Sequence, residues 1–289
     1  MIKTILVPAT GSETDVATFA TALQVARSFA AHLDVLHVRL DTTEVAVAMA
    51  ADIGGGGTLS GQLIEQLERE VREREADARR IFSAFCAREN LTVAVSPAVR
   101  TTGPSTQWHV ETGQEARWLA AYGITSDLIV VSRGSGDDVT LRSILETVLL
   151  ETGRPLLIPS AAAPSAAMFD TIVIAWKPTP EAARAVAFAM PLLARAKEIV
   201  VMTVAEEEGR RDDSNRLARS LAWHGCVVST ERLKPGSHNA AQTLLTAASG
   251  RAGLLVMGGY GHSRLREWVF GGFTERALSD APLPVLIAH

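Results

Sequence analysis

Two stretches of this chain repeat one another, and that duplication limits its fold more than any other feature. Thr4-Ile5-Leu6-Val7-Pro8 returns as Thr171-Ile172-Val173-Ile174-Ala175, and Arg154-Pro155-Leu156-Leu157-Ile158 returns as Leu283-Pro284-Val285-Leu286-Ile287. Internal similarity on this scale means two copies of one domain-sized unit, and 289 residues give each copy enough chain to bury its own core. Before each closing strand a helical stretch carries Glu at the matching place, Glu146 and Glu275. The first copy has the longer interior, and the segment Asp41 to Arg80, with Gly54 to Gly57 inside it, is where most of the excess falls.

Within each copy, short apolar runs alternate with helical patterns. The runs are Thr4–Pro8, Leu33–Val38, Thr92–Ala98, Leu128–Val131 and Pro155–Pro159, then Thr171–Trp176, Glu198–Val204, Cys226–Arg232, Gly253–Gly258 and Pro284–Ala288. Leu254-Leu255-Val256-Met257 is apolar throughout, which marks a strand covered on both faces and hence a parallel sheet between helix layers. Five strands alternating with helices in each copy predict two doubly wound, Rossmann-like α/β domains in tandem, over residues 1–160 and 168–289. An Ala- and Pro-containing linker over 161–167 separates them. Gly54–Gly57 reads as a loop tip, and the charged helix after it, about Leu59 to Arg88, covers one sheet face with its outer side in water.

Composition removes several classes of function. The net charge of −4 supplies no basic field for nucleic acid or an anionic membrane, and the Arg-rich stretch Arg69 to Arg80 is interleaved with Glu. No apolar run reaches the roughly 18 residues of a membrane span, and the opening residues lack a signal peptide's pattern, so a cytoplasmic location is expected. Cys86 and Cys226, one in each copy, make neither a metal motif nor a disulfide framework and are expected to be reduced. No nucleophile elbow, HExxH or GxxxxGK[ST] occurs, so nothing sets a catalytic base beside a nucleophile.

The most informative segment runs from Val256 to Thr274. A buried strand ends at Gly258, Gly259 and Gly261 follow, and the chain re-enters a helix near Gly271-Gly272-Phe273-Thr274. Open α/β sheets bind ligands outside the carboxyl ends of their strands, where glycine lets backbone N–H groups approach an anion and a helix N-terminus adds positive potential. The same glycines also suit a tight turn and close helix–sheet packing with no ligand, and both readings stand at this point. Within the loop, Arg264 offers a bidentate phosphate contact, Ser263 reads as a helix cap, and His262 reads as facing water. Trp268, Val269 and Phe270 read as core or interface residues. His109 and His238 read as lying at helix starts without an acidic partner, and Glu111 with Glu115 as an ordinary helix-surface pair.

Gly258-x2-Gly261-x9-Gly271, after a Leu-Leu-Val-Met strand and before a helix leading to Pro-Val-Leu-Ile, resembles the universal stress protein family in its tandem form, and the resemblance covers essentially the whole chain. It implies ATP or AMP binding in the second copy only, with Mg accompanying ATP. The candidate residues are Gly258, Gly259, Gly261, Arg264, Gly271, Gly272, Phe273 and Thr274, together with Trp176 and Lys177 at the end of the copy's first strand, where Lys177 reads either as a point charge for phosphate or as a solvated residue beginning the Pro178-Thr179-Pro180 turn. Two departures count against it. Gly272 stands where ATP-binding members carry Ser or Thr, and Lys177 (Thr10 in the first copy) stands where they place Asp. In the first copy the loop reads Ser132-Arg133-Gly134-Ser135-Gly136-Asp137-Asp138, with Arg142-Ser143 in place of the Gly271-Gly272 pair, and it is read as a degenerate site.

Three functions follow: a stress-response protein that binds an adenine nucleotide and signals through shape or assembly, a non-binding scaffold for a protein partner, and a slow ATP hydrolase. The resemblance also implies that the closing strands Leu156–Pro159 and Val285–Ala288 pair, here with each other as an internal pseudo-dimer, and it is compatible with further homodimerisation.

Overall fold

A computed structural model describes residues 1–52, 61–94, 96, 102–133, 139–161, 163–204, 213–234, 240–259 and 281–289. Its strands are β1 (Thr4–Pro8), β2 (His32–Arg39), β3 (Thr92–Val93), β4 (Ser105–Thr112), β5 (Leu128–Val130), β6 (Leu156–Ile158), β7 (Thr171–Ala175), β8 (Glu198–Val204), β9 (Val228–Leu233), β10 (Leu254–Gly258) and β11 (Val285–Ala288). The helices are α1 (Thr14–Phe29), α2 (Thr42–Asp52), α3 (Gly61–Glu89), α4 (Glu115–Gly123), α5 (Val139–Glu151), α6 (Pro180–Leu193), α7 (Ser214–Trp223) and α8 (Ala240–Ser249). Gly54–Gly57 lies outside the described residues.

All eleven strands form one sheet in the order β3-β4-β2-β1-β5-β6-β11-β10-β7-β8-β9. Apart from the extra edge strand β3, each half repeats the same doubly wound order, with its first strand between its second and fourth. The halves meet where β6 and β11 pair antiparallel, Leu156 opposite Ile287, Leu157 opposite Leu286 and Ile158 opposite Val285; every other ladder is parallel. The two closing strands thus cover each other's edges, removing two apolar edges that would otherwise template aggregation.

Helices cover both faces, which is why the strands read as solid apolar runs. One face packs on α1, α3, α6 and α7 through Phe19, Phe82, Leu192 and Leu221; the other packs on α4, α5 and α8 through Leu119, Val148 and Leu244. Leu157 and Leu286 belong to the first core and Leu156 and Ile287 to the second, so both cores run unbroken across the seam. Cys86 is buried on the inner side of α3, Cys226 is half-buried ahead of β9, and both are free. Among the described residues no helix is long and apolar enough to cross a membrane.

The third strand of the first half departs from expectation. Thr92–Ala98 is expected to supply it; among the described residues only Thr92–Val93 is strand there, at the sheet's edge, with residues 95, 97 and 98 outside the described ones, and β4 takes the interior place beside β2. β4 sits next to that edge and is incompletely covered. Its residues alternate, with Trp108 packed on the α3 side and His109 and Glu111 on the other, and this hides it from a search for solid apolar runs. The long interior of the first copy is also accounted for, because Asp41 to Arg80 holds α2 and most of α3.

Leu157 is fully buried at the seam. Leu157→Ala is expected to lower the stability of the whole chain by about 2–5 kcal/mol, read as a shifted urea midpoint. An unchanged midpoint would remove the seam from the cooperative core.

Candidate functional site

In each half the strand order reverses beside the first strand, between β1 and β5 and between β7 and β10, and ligands of open α/β sheets bind at such points. At the second, the sequence-predicted Trp176 and Lys177 leave β7 where Gly258 and Gly259 leave β10, with Met257 paired to Ala175 one residue earlier. The chain then turns tightly, the Thr179 N–H donating to the Lys177 carbonyl at 2.7 Å. Thr179 caps α6, its hydroxyl accepting from the Ala182 N–H at 3.3 Å with Pro180 at the first helical position, so the N-terminus of α6 opens at this crevice.

Packing dictates the first of the two described glycines and crowds the second. A Cβ on Gly258 would lie 2.7 Å from the Glu181 carbonyl carbon and against the Ala182 backbone, and one on Gly259 would lie 2.6 Å from Ile287 Cδ1. Strand β10 therefore approaches α6 closely only because Gly258 has no side chain. Gly261, Arg264, Gly271, Gly272, Phe273 and Thr274, with His262, Ser263, Trp268, Val269 and Phe270, lie outside the described residues, as does His238.

Among the described residues three buried polar atoms near this switch point have no hydrogen-bond partner: Trp176 Nε1, Glu181 Oε2 and Thr203 Oγ1. The Trp176 N–H donates to the Met202 carbonyl at 2.9 Å, which sets Trp176 beside Thr203 at the ends of β7 and β8. Glu181 is in the first turn of α6, its other oxygen accepting from Arg184 at 3.3 Å. An unsatisfied buried polar group costs about 1–3 kcal/mol, so three at one rim call for an explanation. Glu181 and Thr203 were not singled out from sequence. Glu181 reads as an ordinary first-turn acid, and the only signal at Thr203 is a hydroxyl near the end of an apolar run.

The first half answers the same needs from within the protein. His37 on β2 holds the place of Thr203 on β8, and its Nδ1 is 2.7 Å from the Ala9 carbonyl while its ring stacks on Trp108 at 6.0 Å. Buried Asp15 accepts from the Thr10 N–H at 2.9 Å, the Thr10 hydroxyl at 2.7 Å and the Gly11 N–H at 2.8 Å. Helix α3 closes the turn from outside. Arg74 Nε donates to the Thr10 carbonyl at 2.8 Å, and Gly11, at φ +81°, has the Arg74 carbonyl oxygen 2.6 Å from where a Cβ would be. Arg133, following β5 as Gly259 follows β10, donates to the Pro159 carbonyl at 3.1 Å and reaches across the seam to the Leu283 carbonyl at 3.4 Å. Gly134 to Asp138 lie outside the described residues.

Two sequence readings need correction. His109 lies in the middle of β4, and its Nε2 is 2.9 Å from Asp34 Oδ1 on β2, an acidic partner that only strand pairing supplies. Glu111 is also on β4 and accepts from the Tyr122 hydroxyl at 2.7 Å, while Glu115 opens α4, so the two do not form a helix-surface pair. Burial, with Glu111 assisting, pushes the Tyr122 hydroxyl up to about 12.

Burial holds the His37 and His32 imidazoles below their ordinary value of 6.5. The unfolded chain takes up protons near that value while the folded chain resists them. The stability they contribute is therefore complete above it and lost as pH falls below it. Between about pH 7.5 and about pH 5.5 the stability of the wild type should fall, by at most about 1.4 kcal/mol per pH unit for each histidine. His37→Gln should flatten that profile in urea titrations. Gly258→Ala should lower stability by about 1–3 kcal/mol through the clash with α6; an unchanged thermal midpoint would show that the helix can yield.

Known proteins share this fold. No curated protein matches the chain. Among solved structures, a universal stress protein from Archaeoglobus fulgidus is 15% identical with a TM-score of 0.69, the match covering 99% of this chain and 95% of that one. A Pseudomonas aeruginosa protein assigned to the same family is 16% identical with a TM-score of 0.57, covering 99% and 93%. A functionally unknown protein from Pseudomonas aeruginosa PAO1, also 16% identical, has a TM-score of 0.55 and coverage of 99% and 92%. At such identities the likeness is one of fold alone. The family model described as the universal stress protein family matches residues 1–158 and 205–289, most of the chain and parts of both copies. With the duplicated sequence, the doubly wound halves and this match in agreement, the chain belongs to the universal stress protein family.

Proposed function

We propose that the second half binds an adenine nucleotide, ATP or AMP, at the β7–β10 switch point, and that occupancy acts through shape or assembly in a stress response rather than through catalysis. The observation that carries this reading is the meeting of Trp176 and Lys177 with Gly258 and Gly259 at the strand ends where the sheet order reverses. Backbone N–H groups of the Gly258-x2-Gly261-x9-Gly271 segment suit a phosphate chain, and Gly272, Phe273 and Thr274 continue that segment in the sequence. Arg264 and Lys177 would supply charge, Arg264 bidentately and Lys177 as a point charge. The unsatisfied polar atoms beside α6 fit a ligand better than a sealed core does. Mg would accompany ATP, neutralising its phosphates.

One observation favours a second reading, a scaffold for a protein partner with structural glycines: Gly258 is required by packing against the α6 backbone.

Mass spectrometry of nucleotide released on denaturation, paired with calorimetric titration of ATP and AMP, separates the two. The nucleotide reading expects binding to the wild type and a loss of at least about tenfold in Gly261→Val, where a branched side chain would block the backbone's approach to phosphate. No released nucleotide and no binding heat at roughly millimolar ATP, a free energy of only about −4 kcal/mol, would leave the scaffold.

A further inference from the structure

We propose that β9 is an interface edge for a second copy of this chain, the two β9 strands pairing antiparallel about a two-fold axis beside Thr230. The inference is independent of the nucleotide reading. With β6 and β11 joined inside the chain, the described sheet keeps two outer edges, β3 and β9. They are unequal. β3 has two residues, a length that blunts an edge, whereas β9 has six, with Ser229, Thr230 and Arg232 exposed. In the first half β3 pairs with β4, which lies beside β2 as β9 lies beside β8; among the described residues no strand covers β9. The backbone groups that β9 offers follow from its ladder. The Ile199 N–H donates to the Val227 carbonyl at 2.8 Å, so residues of that parity, Ser229 and Glu231 included, turn their peptide groups to β8. Alternate residues of a parallel strand bond opposite neighbours, which directs the N–H and C=O of Val228, Thr230 and Arg232 outward.

The occupant is a second copy because the strand complements itself. Residues opposite one another in an antiparallel pair share a sheet face, so a two-fold pairing must centre on a residue and match like parity. Centred on Thr230, it sets the two Thr230 side chains together, Ser229 against the partner's Glu231, Val228 against the partner's Arg232 and Val227 against the partner's Leu233. Paired threonines and a hydroxyl beside a carboxylate are favourable cross-strand neighbours. Centred on Glu231, the pairing would oppose two carboxylates; centred on Ser229, it would oppose Glu231 and Val227. The Thr230 register also puts all three outward residues in hydrogen-bonded pairs. It gives Val227, 65% exposed, an apolar neighbour, and it lets Arg232 lay its stem over the partner's Val228 with its charge in water. Trp223, 86% exposed, ends α7, and the Cys226 N–H donates to the Leu221 carbonyl at 3.3 Å, which ties that end of the helix to the start of β9. An exposed tryptophan beside an open edge is the kind of side chain that anchors an interface. Pairing β9 with β3 of another copy would engage only two residues and would leave an edge open at each end, whereas the two-fold pairing closes on itself.

Sedimentation velocity of the full chain over a range of concentrations, without added ligand, tests the pairing with Thr230→Pro and Thr230→Glu. Because the Thr230 N–H points away from β8, proline removes no bond within the sheet but deletes the central donor of the interface. Glutamate keeps the backbone and sets like charges opposite each other on the axis, so it carries the test should proline disturb the strand. The wild type is expected to dimerise reversibly, and each variant to raise the dissociation constant at least about tenfold. Under mild oxidation Thr230→Cys should give a disulfide-linked dimer beyond any formed by the wild type, since a hydrogen-bonded pair holds its Cα atoms about 5.5 Å apart. Arg232→Cys, opposite the partner's Val228, should not. A wild type that stays monomeric, or a dimer that both Thr230→Pro and Thr230→Glu leave intact, overturns the proposal, whether the edge then takes another protein's strand or none. Equal cross-linking of the two cysteine variants overturns the register and the two-fold pairing with it.

Discussion

The pairing of β6 with β11 is the contact on which the rest of this molecule is built. Each copy ends in a short apolar strand with an open edge, and an open edge of Leu and Ile is a hazard for any chain carrying two of them. Joining the two antiparallel turns two half-sheets into one sheet of eleven strands and lets both helix layers run across the seam without a break. Leu157 and Leu286 lie opposite each other there and contribute to the same core, so the stability of each copy depends on the other. Arg133 strengthens the dependence, because a side chain at the end of β5 bonds a carbonyl just ahead of β11.

Once the copies are fused, they are free to diverge at their rims. The first copy has used its additional chain to build α2 and lengthen α3, and α3 lies over the turn after β1 with Arg74 on Thr10 and its backbone against Gly11. Asp15 and His37 satisfy the remaining polar groups, and each is nearly inaccessible to solvent. The second copy has no corresponding insertion. Its helix α6 begins at a capped, Pro-led turn beside Gly258, and Trp176, Glu181 and Thr203 keep unsatisfied atoms at the rim. The two copies thus differ in backbone, through α2, α3 and β3, and in whether the polar groups at their rims are engaged within the protein.

Much of the fold was legible in the sequence because parallel strands between two helix layers must be apolar on both faces, and runs such as Leu254 to Met257 announce it. β4 escaped because it sits beside the sheet edge and alternates, so the apolar stretch Thr92–Ala98 drew attention that belonged to Ser105–Thr112. His109 and Glu111 were misplaced with it, since their partners Asp34 and Tyr122 reach them only through strand pairing and helix packing. Of the site, sequence marked Trp176, Lys177, Gly258 and Gly259, and the fold brings them to one crevice.

The residue order by itself determined the duplication, the helix and strand alternation and the apolar closing strands, because these follow from local pattern and from the need to bury it. Tertiary structure alone decided that Gly258 is required by the first turn of α6, that α3 seals the first rim, and that Glu181 and Thr203 share a rim with Trp176. Those facts depend on how closely elements distant in the chain approach one another. A one-dimensional pattern records which faces are apolar, and it holds no information on the distance between two backbones or on which polar atoms find partners when they meet.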